Sequence, residues 1–122
     1  MRALIVDDSR TIRQILRRIL EPAGFEVVEA SSAEEALAHL DASPVPEVGL
    51  IDWDMPGMDG IALVRAIREA PTSARMRIVM VTKRTGLDHI VAAREAGADE
   101  YLEKPFSGDS LREKLVLVGL AV

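Results

Sequence analysis

The sequence predicts an α/β domain, a five-stranded parallel sheet with helices on both faces. Three observations predict it. Short, almost purely apolar runs recur along the chain, as strands covered on both faces require. Between them lie stretches with apolar residues at helical spacing, closed by proline or glycine. Each apolar run also stops at a polar residue. Asp7 and Asp8 close Ala3-Leu4-Ile5-Val6, Asp52 closes Val48-Gly49-Leu50-Ile51, Thr82 closes Ile78-Val79-Met80-Val81, and Lys104-Pro105 follows Tyr101-Leu102. Parallel sheets bind ligands outside the carboxyl ends of their strands, so these dispersed side chains are expected to share one edge.

Residues 3–7 form the first, nearly all-apolar strand. Ser9 offers an N-cap, and Ile12, Ile15, Leu16, Ile19 and Leu20 recur at helical spacing until Pro22 and Gly24 stop the run, giving a helix over 10–21. A second strand follows at 25–29. The second helix begins after Ser31 or Ser32, with Glu34 and Glu35 where the helix dipole favours negative charge. It ends near Asp41, broken by Ser43-Pro44-Val45-Pro46. The third strand covers 48–52, and the turn Met55-Pro56-Gly57-Met58 leads to Asp59, the N-cap of a helix that buries Ile61, Leu63, Val64 and Ile67. After a loop around Pro71-Thr72-Ser73, a fourth strand runs over 77–82 and a fourth helix over 87–96, closed by Gly97. A short strand over 100–103 precedes a fifth helix that starts near Ser107 and carries Leu111, Leu115 and Val118.

Five such units with right-handed crossovers fit the flavodoxin-like, doubly wound strand order 2-1-3-4-5. That order seats the first strand beside the third, which brings Asp7 and Asp8 to Asp52, with Thr82 and Lys104 on the other side. The turn Asp7-Asp8-Ser9-Arg10 carries the wrong charge for cradling a flavin or nucleotide phosphate.

At 122 residues the chain has the length of one domain, 1–122, with a core that needs no disulfide; it has no cysteine. A net charge of −5 argues against coating nucleic acid. No apolar run approaches a membrane span, and the first strand begins too early for a secretory signal, so no membrane insertion and a cytoplasmic location are expected. Arg10, Arg13, Arg17 and Arg18 crowd one segment, either as a solvated helix face or as a docking face for an acidic partner.

Clustered carboxylates repel one another, and a hard divalent cation on oxygen ligands is the ordinary remedy. Mg²⁺ suits an open acidic edge, because it keeps several waters and leaves positions for phosphoryl oxygens, whereas Ca²⁺ wants more protein ligands. Zinc is disfavoured, since His39 and His89 fall on helices expected to lie away from the strand ends. An aspartate beside Mg²⁺ can attack phosphorus and hold the phosphoryl group as an acyl phosphate, while an ammonium such as that of Lys104 stabilises the transferred oxygens. A hydroxyl such as that of Thr82 can then bond the phosphate and move its loop.

The segments Val6-Asp7-Asp8-Ser9, Asp52-Trp53-Asp54-Met55-Pro56-Gly57-Met58-Asp59-Gly60, Val81-Thr82, Ala96-Gly97-Ala98 and Lys104-Pro105-Phe106 span nearly the whole chain. In this order and spacing the chain resembles a response-regulator receiver domain, of the single-domain type similar to the chemotaxis regulator. The resemblance implies that Asp52 accepts phosphate from a histidine kinase or histidine phosphotransfer protein. It also implies that Asp7, Asp8, Asp52 and the main-chain carbonyl of Asp54 hold Mg²⁺, and that Thr82 and Tyr101 move together on phosphorylation. A cis Lys104-Pro105 bond would aim Lys104 at Asp52. The implied partner face is the fourth helix, fifth strand and fifth helix, with Ile90, Tyr101 and Lys114 as exposed candidates; read without the resemblance, Tyr101 is alternatively an amphipathic ring packed into the core at the sheet edge. The protein would act as a monomer or a phosphorylation-dependent dimer on a downstream target protein, and its only catalysis would be its own phosphorylation and dephosphorylation. The sequence ends soon after the fifth helix, so output is expected through partner binding unless the chain is a piece of a longer protein.

The chain departs from the family pattern at Lys83, where a small residue is usual. Lys83 and Arg84, facing Asp54, are expected to alter phosphate lifetime by screening the attacking water; the alternative is that both point into solvent. Trp53 is expected to be a partly buried anchor that reports on metal and phosphate. Two other functions stay open at this stage. Asp52-Trp53-Asp54 also spells the DxD spacing of an aspartate-nucleophile phosphatase, and a receiver-like fold can serve as an interaction module without phosphate.

Overall fold

Alternating apolar and helical segments fold as β1 (Arg2–Val6), α1 (Arg10–Leu20), β2 (Glu26–Ala30), α2 (Ala33–Ala42), β3 (Val48–Ile51), α3 (Gly60–Glu69), β4 (Arg77–Thr82), α4 (Leu87–Ala96), β5 (Glu100–Glu103) and α5 (Gly108–Leu117). The computed structural model describes residues 1–42 and 44–122; Ser43, expected to help break the second helix, lies outside the described residues. The five strands form one parallel sheet in the order β2-β1-β3-β4-β5, as the sequence predicts.

Side chains alternate across a strand, and here the alternation sorts the core into two layers. Leu4, Val6, Ile51, Ile78 and Met80 pack with Ile61, Leu63, Val64 and Ile67 of α3 and with small residues of α2 and α4. Ala3, Ile5, Leu50, Val79 and Val81 pack with Leu16 and Leu20 of α1 and Leu111 and Leu115 of α5. Burial of one such leucine or isoleucine contributes about 1.5–3 kcal/mol, so the two layers fix which way each strand faces. Val6 pairs with Ala30 on one side and Ile51 on the other, so β1 and β3 end level where Asp7 and Asp52 begin; Ile51 pairs with Met80, and β4 runs two residues further to Thr82.

Three caps start helices where expected. Ser9 accepts from the Ile12 amide at 3.3 Å, Asp59 from Ala62 at 2.8 Å and Ser107 from Ser110 at 3.0 Å. Each satisfies an amide the helix itself cannot pair, a contribution of about 1 kcal/mol. The β2 strand begins at Glu26, one residue later than expected, because the Phe25 amide donates to Leu20 O and Gly24 takes φ +98° to wrap the end of α1. Ile15, one of the apolar residues at helical spacing, is 39% exposed at the margin of an α1 stripe whose buried members are Leu16 and Leu20. Among the described residues no helix is long and apolar enough to cross a membrane.

Candidate functional site

The sheet ladder runs one hydrogen bond past β1 and β3, with the Asp7 amide donating to Ala30 O at 3.1 Å and the Asp52 amide to Val6 O at 2.9 Å. These bonds fix the backbone just where the two carboxylates leave the sheet. Asp7 and Asp52 are 1% and 6% exposed, and Asp8 is exposed at the mouth of the cleft they line. One oxygen from each of Asp7, Asp8 and Asp52 lies within 4.8 Å of the others. They line a cleft of about 310 Å³ with Ser9, Asp54, Lys83 and Lys104. The turn after β1 is held from inside, because the Ser9 amide donates to Asp7 Oδ1 at 2.8 Å.

Lys104 follows directly on the edge strand β5 and precedes a cis Lys104-Pro105 peptide bond. Its Nζ donates to Asp7 Oδ2 at 2.8 Å and lies 3.5 Å from Asp52 Oδ1. One ammonium faces three carboxylates, and the imbalance falls on Asp52. Burial and the charge of Asp7 push its carboxyl up to about 6, against the pull of Lys104 and the Asp54 amide; Asp8 adds to the rise. The donor set fits a hard divalent cation. It is all oxygen, it is open to water on the Asp8 side, and its excess negative charge is what such an ion removes.

Thr82 ends β4 fully buried, its Oγ1 accepting from the Arg84 amide at 3.2 Å. Tyr101 was expected on an exposed partner face, but it is buried at 6%, because its ring packs into the core beside α4 and its hydroxyl donates to Arg84 O at 2.6 Å. Ile90 and Lys114 are half-buried, Ile90 against the same core and Lys114 through an ion pair to Glu100 at 3.2 Å. Arg84 thus meets the Thr82 hydroxyl with its amide and the Tyr101 hydroxyl with its carbonyl.

The Arg84 side chain turns back over the cleft's rim. Its Nε and NH2 donate to Asp54 Oδ1 at 3.0 and 2.6 Å, and its guanidinium carbon lies 5.0 Å from the centre of the Trp53 ring. Arg84 therefore does not point into solvent, while Lys83 does so at the cleft mouth with no ion-pair partner among the described residues. Trp53 is 8% exposed, as an anchor should be. His89, expected to lie away from the strand ends, meets Trp53 edge-on at 5.4 Å, because the first turn of α4 folds back toward the site. Its Nδ1 donates to Thr85 O at 2.7 Å, which places the ring proton on that nitrogen. Only three-dimensional proximity reveals His89; its helix shows no signal in sequence. His39 stays on α2 beside Glu35.

A parallel sheet of this order, with an acidic cluster and a lysine at its carboxyl edge, defines a phosphoacceptor domain. The chain belongs to the response regulator receiver domain family, whose pattern matches residues 3–116. Within it the chain is closely related to chemotaxis CheY proteins. It is 39% identical over 119 residues to chemotaxis protein CheY1 of Helicobacter pylori, covering 97% of this chain and 96% of that protein. It is 38% identical over 116 residues to the chemotaxis protein CheY homolog of Campylobacter jejuni, covering 94% and 89%. The solved structure of chemotaxis protein CheY4 of Vibrio cholerae superposes with a TM-score of 0.90 at 34% identity, covering 96% of this chain and 97% of that one. Receiver domains accept phosphoryl groups in two-component signalling with histidine kinases or histidine phosphotransfer proteins, and they are not turnover enzymes, which removes the free-phosphoester phosphatase reading.

Proposed function

We propose that residues 1–122 act as one receiver domain in which Asp52 is the phosphoryl acceptor and Asp7, Asp8, Asp52 and the main-chain carbonyl of Asp54 hold Mg²⁺. The observation that carries this reading is the convergence of three carboxylates within 4.8 Å of one another, with the Lys104 ammonium between Asp7 and Asp52. When bound, the cation supplies charge neutralisation for the acidic cluster and the phosphoryl oxygens.

A carboxylate oxygen of Asp52 attacks phosphorus of the donor phosphohistidine. The new O–P bond forms as the N–P bond breaks, and the departing imidazole takes its electron pair and then a proton from water. Lys104, already 3.5 Å from Asp52, shifts from Asp7 onto a phosphoryl oxygen. The Thr82 hydroxyl accepts from the Arg84 amide, so its own hydrogen is available to donate to the phosphate. Drawing Thr82 inward pulls on Arg84, and Arg84 O holds the Tyr101 hydroxyl. That chain of contacts supports a Thr82–Tyr101 switch. Its outlet is the surface of α4, β5 and α5, where Leu87 and Val91 are exposed beside Ile90 and Lys114. A downstream protein docks there, by analogy with relatives named for chemotaxis, and the domain works as a monomer or a phosphorylation-dependent dimer in the cytoplasm.

Trp53 gives a direct test of the site. Its fluorescence is expected to change on adding MgCl₂ and to change again on adding acetyl phosphate. A signal flat through both additions contradicts the reading.

Lys83 and the Arg84–Asp54 bridge stand on the path of a water approaching an aspartyl phosphate. Arg84→Ala opens that rim and frees the Asp54 carboxylate, so the phosphate is expected to decay several-fold faster; Lys83→Ala acts in the same direction with a smaller effect. Decay of isolated phosphoprotein measures both, and rates equal to wild type reject a modulating role.

A further inference from the structure

The four arginines of α1 divide: Arg10 and Arg18 are exposed to solvent, whereas Arg13 and Arg17 are half-buried. Arg13 and Arg17 turn inward onto Glu29 of β2. Arg13 Nε donates to Glu29 Oε1 at 3.0 Å, and its NH1 donates to the main-chain carbonyl of Asp7 at 2.7 Å. Arg17 Nε donates to the other Glu29 oxygen at 2.8 Å, and its NH1 and NH2 reach Glu21 and Val27 O. Burial raises the Glu29 carboxyl, but hydrogen bonds from Arg17 and then Arg13 outweigh it and hold the group below the usual carboxylate range. The network is thus ionised and fixed from both ends.

We propose that Arg13, braced by Glu29, is a positioning residue for metal binding, holding the Asp7–Asp8 peptide so that Asp8 faces the cleft. The proposal rests on the metal reading above. A peptide unit is planar, so the carbonyl oxygen of Asp7 and the amide of Asp8 turn together. Pinning that oxygen sets the direction in which Asp8 leaves the backbone. Asp7 needs little such help, since its amide and both carboxylate oxygens are bonded to groups other than Arg13. Asp8 depends on it, because its exposed carboxylate has no partner among the described residues. The planar fork of arginine can span a carboxylate and a carbonyl at once, which a single ammonium does poorly.

Charge and positioning predict opposite signs. A cation beside a divalent site repels the metal, so on Coulomb grounds alone removing Arg13 tightens binding; pairing with Glu29 makes that effect small. Loss of an outer partner that orients a ligand typically weakens binding about 10–100-fold.

Isothermal titration calorimetry with MgCl₂ on wild type, Arg13→Gln, Arg13→Lys and Arg17→Gln tests it, with urea midpoints recorded for each. Arg13→Gln is expected to bind Mg²⁺ about tenfold more weakly and Arg13→Lys to fall between it and wild type. Arg17→Gln, which leaves the Asp7 carbonyl bonded, is expected to lose stability with little change in metal affinity. Wild-type or tighter affinity in Arg13→Gln overturns the proposal, as does an equal loss in Arg17→Gln. A wild type that takes up no Mg²⁺ overturns the metal reading itself, and this proposal with it.

Discussion

Asp52→Asn is expected to be more stable than the wild type in metal-free buffer at pH 7, by on the order of 2–3 kcal/mol. Burial first, and the charge of Asp7 second, push the Asp52 carboxyl up to about 6. A carboxyl with its folded value above its unfolded one binds the proton more tightly in the native state. Its contribution is therefore favourable at low pH and is lost as pH rises from about 4 through about 6. Asparagine carries no charge to desolvate, so the gap between variant and wild type should open over that interval and stay open above it. Chemical denaturation in EDTA at a series of pH values reads the gap directly. Saturating Mg²⁺ should stabilise the wild type more than the variant, because the cation neutralises the charge that asparagine has already removed. A gap that stays constant from pH 4 to 7 contradicts the charge imbalance assigned to this site. The proposed acceptor is thus a side chain whose charge costs the fold stability.

The second large effect is steric. Gly60 opens α3 against the Asp52 backbone, and its amide donates to Trp53 O at 2.8 Å. A Cβ built there meets the Asp52 carbonyl oxygen at 2.0 Å and Trp53 Cα at 2.9 Å, both fixed backbone atoms. Neither can move without shifting Asp52. Gly60→Ala is therefore expected to cost about 3 kcal/mol or more, a fall in Tm of roughly 10–20 °C, and to blunt the Trp53 response to metal. Gly24→Ala supplies the comparison. Gly24 has φ +98° with nothing within 4 Å of an added Cβ, so only backbone strain of about 1 kcal/mol applies, far from the site. Equal melting of Gly60→Ala and wild type contradicts the packing described here.

The fold was legible because the three inner strands, β1, β3 and β4, are apolar runs with a polar stop, and the connecting helices have a cap or breaker at an end. Strand order followed from connection rules, and with it the meeting of Asp7, Asp8, Asp52 and Lys104. Bounds slipped where a turn decided them, as at Phe25, whose amide closes α1 instead of opening β2. Tyr101 was misplaced because an amphipathic ring on an edge strand reads alike whether its face is covered or open; α4, packed beside it, covers it. His89 and the inward turn of Arg13 and Arg17 were hidden for a related reason. Helical spacing tells which residues share a face, but the neighbour of that face, here Glu29 for Arg13 and Trp53 for His89, is set by the packed fold.

The central claim is that one carboxylate at the sheet's edge receives the phosphoryl group. Transfer of radiolabel from a phosphorylated histidine kinase or phosphotransfer protein to wild type and to Asp52→Asn, with MgCl₂ and with EDTA, tests it most directly. The account predicts label on the wild type only, and only with Mg²⁺. Equal label on both proteins, or undiminished transfer in EDTA, contradicts it.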